Sequence, residues 1–249
     1  MKLRYTLLAL AALAIATGPA PAVAADKGVV SITYDDCPET QWRLGLPVAK
    51  KHDLVGTVFV STGYVGADPW CMTWENVADF KEAGWEIASH AVHHIEMYKL
   101  NDWVSEIVGS ATDLMKKVGV APVGFAPPYG EATDDHINFI REIGIYRYVV
   151  LESGDGFNAL TGYDRYNLDR LAVTSAKEAC ALVQKAADED AWAILLFHGI
   201  RPAKESPPDY ELHLEIHNEV LACVAKARDE GLIEVKTISQ VVAKECDCE

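Results

Sequence analysis

The sequence has little that would tie it to a membrane or to nucleic acid. Its one long apolar run, residues 7–16, is shorter than the roughly 20 residues a spanning helix needs, and no later run reaches that length. Basic side chains are also scarce, with 22 Lys and Arg against 37 Asp and Glu and a formal net charge of −15. An acidic surface repels phosphate backbones and anionic headgroups, so nucleic acid and membrane insertion are not expected, whereas a neutral or cationic partner suits it. There is no Pro/Gly/Ser-rich linker, no internal repeat and no low-complexity segment. With half of its residues hydrophobic, the chain reads as one well-buried domain over residues 26–249.

What precedes that domain has the form of a leader. Lys2 and Arg4 are followed by the apolar run, by Gly18-Pro19, and by the small residues Ala22-Val23-Ala24-Ala25. That is the pattern of a secretory signal peptide over residues 1–25, cut near Ala24 or Ala25, and it places the mature protein in a periplasm or outside the cell. No Cys follows the run where a lipid anchor would need one. Loss of the leader removes two bases and no acid, leaving 20 basic against 37 acidic groups, or −17.

All six cysteines, Cys37, Cys71, Cys180, Cys223, Cys246 and Cys248, lie in the mature part. An even number in an oxidising compartment predicts disulfides. Cys37 and Cys71 both fall in loops after strands and are candidates to pair. The other four, on two helices and the tail, would clip the C-terminus down. Zinc binding by Cys246-Asp247-Cys248 is the weaker alternative, since two thiolates do not close a tetrahedral site.

The hydrophobic pattern alternates between the two periods. Strands are expected at 29–35, 55–61, 85–88, 123–126, 145–151, 192–197 and 232–235. Between them helices are expected at 41–52 (delayed or kinked by Pro47), 73–84, 102–118, 133–143, 175–188, 211–230 and 237–244. Seven strands alternating with helices predict a parallel sheet covered by helices, whose function gathers at the carboxyl ends of the strands. Asp35 and Asp36 end the first strand, His90, His93 and His94 follow the third, Tyr129 the fourth, Glu152 and Asp155 the fifth, and His198 the sixth.

Each group suggests chemistry. Two adjacent acids at a strand end repel one another and predict a cation nearby; alternation would point them to opposite faces unless the strand stops, and Pro38 stops it. The imidazoles of His90, His93 and His94 stand at i, i+3 and i+4, and two of them with a carboxylate would hold a divalent metal with open positions. Spacing leaves open whether His93 or His94 joins His90. Pro127 and Pro128 lack amide donors, so the N–H of Tyr129 is the first free one after the strand, on a stiff backbone, and could serve as half of an oxyanion hole. His198, at the exit of the sixth strand, is of the residue type that most often serves as a general acid. His52, His136, His213 and His217 show no such clustering and read as structural.

In this order the motifs resemble the polysaccharide deacetylases with a NodB homology domain, carbohydrate esterase family 4. Thr33-Tyr34-Asp35-Asp36 is similar to the family's Thr-Phe/Tyr-Asp-Asp, His90-Ala91-Val92-His93-His94 to His-Ser/Thr-x-x-His, Pro128-Tyr129 to the end of Arg-x-Pro-Tyr, and Leu195-Leu196-Phe197-His198 to Leu-x-x-His. The resemblance implies an α/β fold, a distorted (β/α)7 barrel. It implies Asp35 as catalytic base, Asp36, His90 and His94 as ligands of one divalent ion (zinc first, cobalt or nickel as alternatives), Tyr129 as oxyanion donor and His198 as general acid. His93 becomes a bystander. The implied reaction removes N-acetyl groups from an acetylated glycan; the alternatives are an O-acetyl esterase on a xylan-like polymer and a carbohydrate-binding relative that has lost catalysis. Ala126 stands where many members have an arginine beside the base, and Cys37 where a Gly commonly follows Asp-Asp. For the carboxylate that orients the acid histidine, Asp155 is the candidate and Glu152 the reserve.

Overall fold

A computed structural model describes residues 27–152, 154–202, 204–208 and 210–245. The expected leader and the tail cysteines Cys246 and Cys248 lie outside the described residues. All seven expected strands are present: β1 (Gly28–Tyr34), β2 (Thr57–Val60), β3 (Glu86–Ser89), β4 (Gly124–Phe125), β5 (Tyr148–Leu151), β9 (Trp192–Phe197) and β12 (Ile233–Val235). Five two-residue strands add to them, namely β6 (Phe157–Asn158), β7 (Leu168–Asp169), β8 (Leu171–Ala172), β10 (Ile200–Arg201) and β11 (Leu212–His213). The helices are α1 (Leu46–Lys51), α2 (Trp74–Glu82), α3 (Trp103–Val118), α4 (Asp134–Ile143), α5 (Ala176–Asp188), α6 (Leu214–Asp229) and α7 (Ile238–Glu245).

Two helices begin later than the pattern predicts. A π-helical turn, Gln41–Gly45, precedes α1, so Pro47 falls in the first α-turn, where its missing N–H costs nothing. Leu212 and His213 pair with β10 and postpone α6 to Leu214. The remaining starts follow side-chain chemistry: Thr73, Asp102, Thr133, Ser175 and Thr237 each accept a hydrogen bond from a backbone N–H three residues on.

β1 lies at the centre, buried at all seven positions as a strand covered on both faces should be. It runs parallel to β9 from Val29 opposite Trp192 to Tyr34 opposite Phe197. The sheet order is β6-β9-β1-β2-β3-β4-β5-β7, with β12 added to β1 and β8 to β9. The circuit is a nearly closed, barrel-like sheet of eight strands. Its seam is spanned by residues 168–172, because β7 pairs with β5 while β8 pairs with β9.

The sheet separates an inner apolar region from outer ones. On its outer side Val30, Ile32, Tyr34, Ala193, Leu195 and Phe197 pack with residues of α1, α2, α5 and α6. On its inner side Val29, Phe59, Ala88, Tyr148, Val150, Leu168, Trp192 and Ile194 pack together, joined by Ile238, Val241 and Val242 of α7. A disulfide joins Cys180 of α5 to Cys223 of α6, and a second joins Cys37 to Cys71 as expected. Cys180 thus pairs between helices and not with the tail. The Cys180–Cys223 bond closes a loop with a sequence separation of 43, so the Cys180→Ser/Cys223→Ser variant is expected to lose about 2–4 kcal/mol in a urea unfolding titration.

Candidate metal centre and active site

Strand alternation carries the polar groups to one mouth of the sheet. Counting in twos from inner-face Val29 leads to Ser31, Thr33 and Asp35; from Ile194, to His198. The same step leads from Phe59 to Ser61, from Ala88 to His90, from Val150 to Glu152 and from Leu168 to Arg170. Asp35, Ser61, His90, Glu152 and His198 line one cavity of about 770 Å³, together with Asp36, His94, Tyr129, Trp70 and Tyr210.

Asp36 escapes the alternation. It takes a left-handed conformation, with φ at 72°, which brings its carboxylate into the cavity beside that of Asp35. Asp is one of the few side chains that tolerate this region. Its Oδ1 lies 3.3 Å from Nε2 of His90 and 3.2 Å from Nε2 of His94. A tetrahedral ion with bonds of about 2.0–2.1 Å holds its ligand atoms about 3.3 Å apart, so these separations fit a metal. That oxygen is buried with no hydrogen-bond partner, as a ligand oxygen awaiting a cation would be. The donor atoms of Asp36, His90 and His94 all lie within 4.8 Å of one another. His94, not His93, is therefore the partner of His90.

The ring of His90 is fixed from behind. Its Nδ1 lies 2.8 Å from the carbonyl of Ala126, so the tautomer that donates there leaves the Nε2 lone pair facing Asp36. His94 is partly exposed, and its ring centroid lies 4.4 Å from that of Tyr129. Tyr129 also has positive φ, at 62°, and its turn is closed by Gly130 donating to Pro127 at 3.0 Å. The Tyr129 N–H is not used in that bond.

Asp35 is buried, at 2% exposure, and its Oδ1 accepts a hydrogen bond from Nη1 of Arg170 at 2.6 Å. Burial alone would push its carboxyl up, but the charge of Arg170, then His90, the Arg170 hydrogen bond and His198 together hold it below the usual range. Asp36 obeys the same balance: burial pushes up, while contact with His90 and the charges of His90, His198 and His94 bring it down to about 2. Burial raises Glu152, with Arg170 and His198 opposing.

Sequence reasoning misses two of these residues. Arg170 is 1% exposed and sits at the joint between β7 and β8, where the sheet's seam closes. Gln41 is fully buried, and its Nε2 donates to the carbonyl of Asp35 at 2.6 Å and more weakly to that of His198 at 3.3 Å. It ties the chain at Asp35 to the chain at His198.

The polysaccharide deacetylase family profile matches residues 22–148, just over half of the chain. The chain belongs to the polysaccharide deacetylase family. No curated protein matches it. Among solved structures, the Xyl-CE4 domain of a multidomain xylanase from the hindgut metagenome of Trinervitermes trinervoides is 16% identical, with a TM-score of 0.60 over 88% of this chain and 91% of that one. The peptidoglycan deacetylase PdaC from Bacillus subtilis is 19% identical, with a TM-score of 0.58 over 90% and 95%. A family 4 acetyl xylan esterase from Clostridium thermocellum, in complex with a cobalt ion, is 19% identical, with a TM-score of 0.58 over 87% and 91%. These likenesses establish the fold.

In this chain an arginine reaches Asp35 from the joint between β7 and β8 and not from position 126. Ala126 contributes only its carbonyl, to His90, and Arg170 occupies the place beside Asp35. The structure does not bring Asp155 to the site. Its side chain is 71% exposed, lies 3.6 Å from Lys185, accepts from the N–H of Phe157 and does not line the cavity. Glu152, one alternation step beyond inner-face Val150, is the carboxylate at the mouth.

Proposed function

We propose that the protein is a metal-dependent hydrolase that removes N-acetyl groups from a polysaccharide or oligosaccharide of N-acetylhexosamine. The observation that carries this reading is the Asp36, His90 and His94 donor set, with an orphaned buried oxygen, directly beside a second carboxylate held ionised by Arg170. Asp36, His90 and His94 would hold one divalent ion, zinc before cobalt or nickel, by the preference of mixed nitrogen and oxygen donors. When bound, that ion supplies Lewis acidity toward the acetyl carbonyl and toward water.

The chain's own groups do the rest. Asp35, ionised and buried, accepts the proton of the attacking water. The Tyr129 N–H donates to the oxygen on which charge develops. His198 gives a proton to the leaving amine, with Glu152 in place of Asp155 as the carboxylate that faces it at the mouth. Arg170 and Gln41 hold Asp35 in position. The carboxylate-rich wall suits an uncharged glycan. No helix of the described residues is long and apolar enough to cross a membrane. With the leader-like first 25 residues, this supports one exported domain acting in a periplasm or outside the cell.

Acetate release over a panel of N-acetylated oligosaccharides and acetylated xylan, with and without chelator, tests the reading. Release from the N-acetylated substrates, abolished by chelator and restored by Zn2+, is expected. Release from acetylated xylan alone would make the protein an O-acetyl esterase. Glycan binding without acetate release under any divalent metal would make it a silenced relative.

A further inference from the structure

The two metal-binding imidazoles are anchored very unequally. His90 leaves β3 with its N–H on the carbonyl of Val60 at 3.0 Å and its ring on that of Ala126. His94 lies four residues on, in a segment that is neither helix nor strand and that begins with a left-handed Ala91, φ 62°. Something outside the segment must fix its path if the two Nε2 atoms are to meet one ion.

Helix α3 does this through one side chain above all. The carboxylate of Glu106 accepts from the N–H of Val92 at 3.1 Å and from that of His93 at 2.6 Å through Oε2, while Oε1 lies 2.9 Å from Nδ1 of His93. Successive N–H groups after a left-handed residue form a concavity that favours an anion. Glu106 also lies in the first turn of α3, where the helix dipole stabilises its charge.

The contact is one end of a stripe. Residues 106, 109, 110 and 113 fall at i, i+3, i+4 and i+7 and share a helix face. A Cβ on Gly109 would come within 2.9 Å of Cγ2 of Val92; Ser110 accepts from Ser89 at 2.8 Å; and Asp113 accepts from Thr62 at 3.0 Å. Thr62 and Gly63 in turn donate to the carbonyls of Ala91 and Val92 at 3.2 and 2.8 Å. This face of α3 grips the histidine segment and the loop that backs it.

We propose that Glu106 is a positioning residue for the metal centre: by binding the backbone at Val92 and His93 it sets the separation of His90 and His94, and through it the affinity for metal. The proposal rests on the metal reading above. Without the carboxylate, the segment loses two backbone bonds and the ion must order it on binding.

Co2+ affinity, measured by competition with a chromogenic chelator, tests this, with the visible d–d spectrum reporting the geometry. Glu106→Ala is expected to weaken Co2+ binding by about 10–100-fold and to alter the spectrum. Glu106→Gln keeps an acceptor oxygen for both N–H groups and is expected to stay near the parent. Glu106→Asp withdraws the oxygens by one methylene and is expected to lose affinity, which keeps the test open if the alanine variant does not fold. Parent-like affinity in the folded Ala or Asp variant, or a Gln variant as weak as Ala, would overturn the proposal alone. A parent protein that binds no Co2+, like the Asp36→Ala control, would overturn it together with the metal reading.

Discussion

Asp35→Asn is expected to lower kcat for acetate release by about 10²–10⁴-fold while leaving the bound metal at the parent's stoichiometry. The substitution is close to isosteric, and its remaining oxygen still accepts the Arg170 hydrogen bond that now measures 2.6 Å. What it loses is the ability to take a proton. His94→Ala should lose both metal and activity, because it removes one of three donors. Steady-state kinetics with metal analysis of the same preparations separate the two. Near-parent acetate release by Asp35→Asn would show that another group is the base.

Arg170→Met is expected to move the acid limb of the kcat/KM profile to higher pH. Burial is the largest influence on Asp35 and acts upward; Arg170 is the largest influence acting downward. Removing the guanidinium leaves a buried carboxylate with His90 and His198 as its remaining compensation, so protonation begins at higher pH and the proposed base is lost there. Stability should change too. A carboxyl held below its unfolded value of about 3.9 contributes stability that is present above that pH and is lost as pH falls through the folded value. Arg170→Met removes that contribution and costs about 3–5 kcal/mol near neutrality, the range for breaking one side of a buried pair. Its unfolding midpoint should therefore vary less with pH in the acid range than the parent's. An unshifted acid limb would mean that Arg170 does not keep the base ionised.

The contrast between Asp35 and Arg170 shows what the sequence makes legible. Asp35, His90, Glu152 and His198 follow strands long enough to display a hydrophobic period, and one alternation step beyond each strand is the cavity mouth. Arg170 follows only Leu168 and Asp169, a two-residue strand inside a polar stretch, where no period can register. Its burial depends on which strands meet at the seam, a tertiary fact. Gln41 is hidden for a related reason: it reads as the first residue of a helix, and its burial against the chain at Asp35 and His198 is a tertiary fact. Asp155 fails the opposite way. It is near the end of β5 in sequence, but Glu152 already stands at the mouth, and Asp155 is exposed, where Lys185 meets it. Spacing alone leaves His93 and His94 open; the resemblance points to His94, and the structure groups His94 with Asp36 and His90 while His93 meets Glu106.

The most direct measurement is an anomalous difference map from crystals of the mature protein grown with Zn2+, recorded above and below the zinc edge. One strong peak is expected within bonding distance of Oδ1 of Asp36 and Nε2 of His90 and His94, with Asp35 beside it and still on Arg170. An empty site at full zinc occupancy elsewhere, or a peak held by His93 in place of His94, would contradict the metal centre described above.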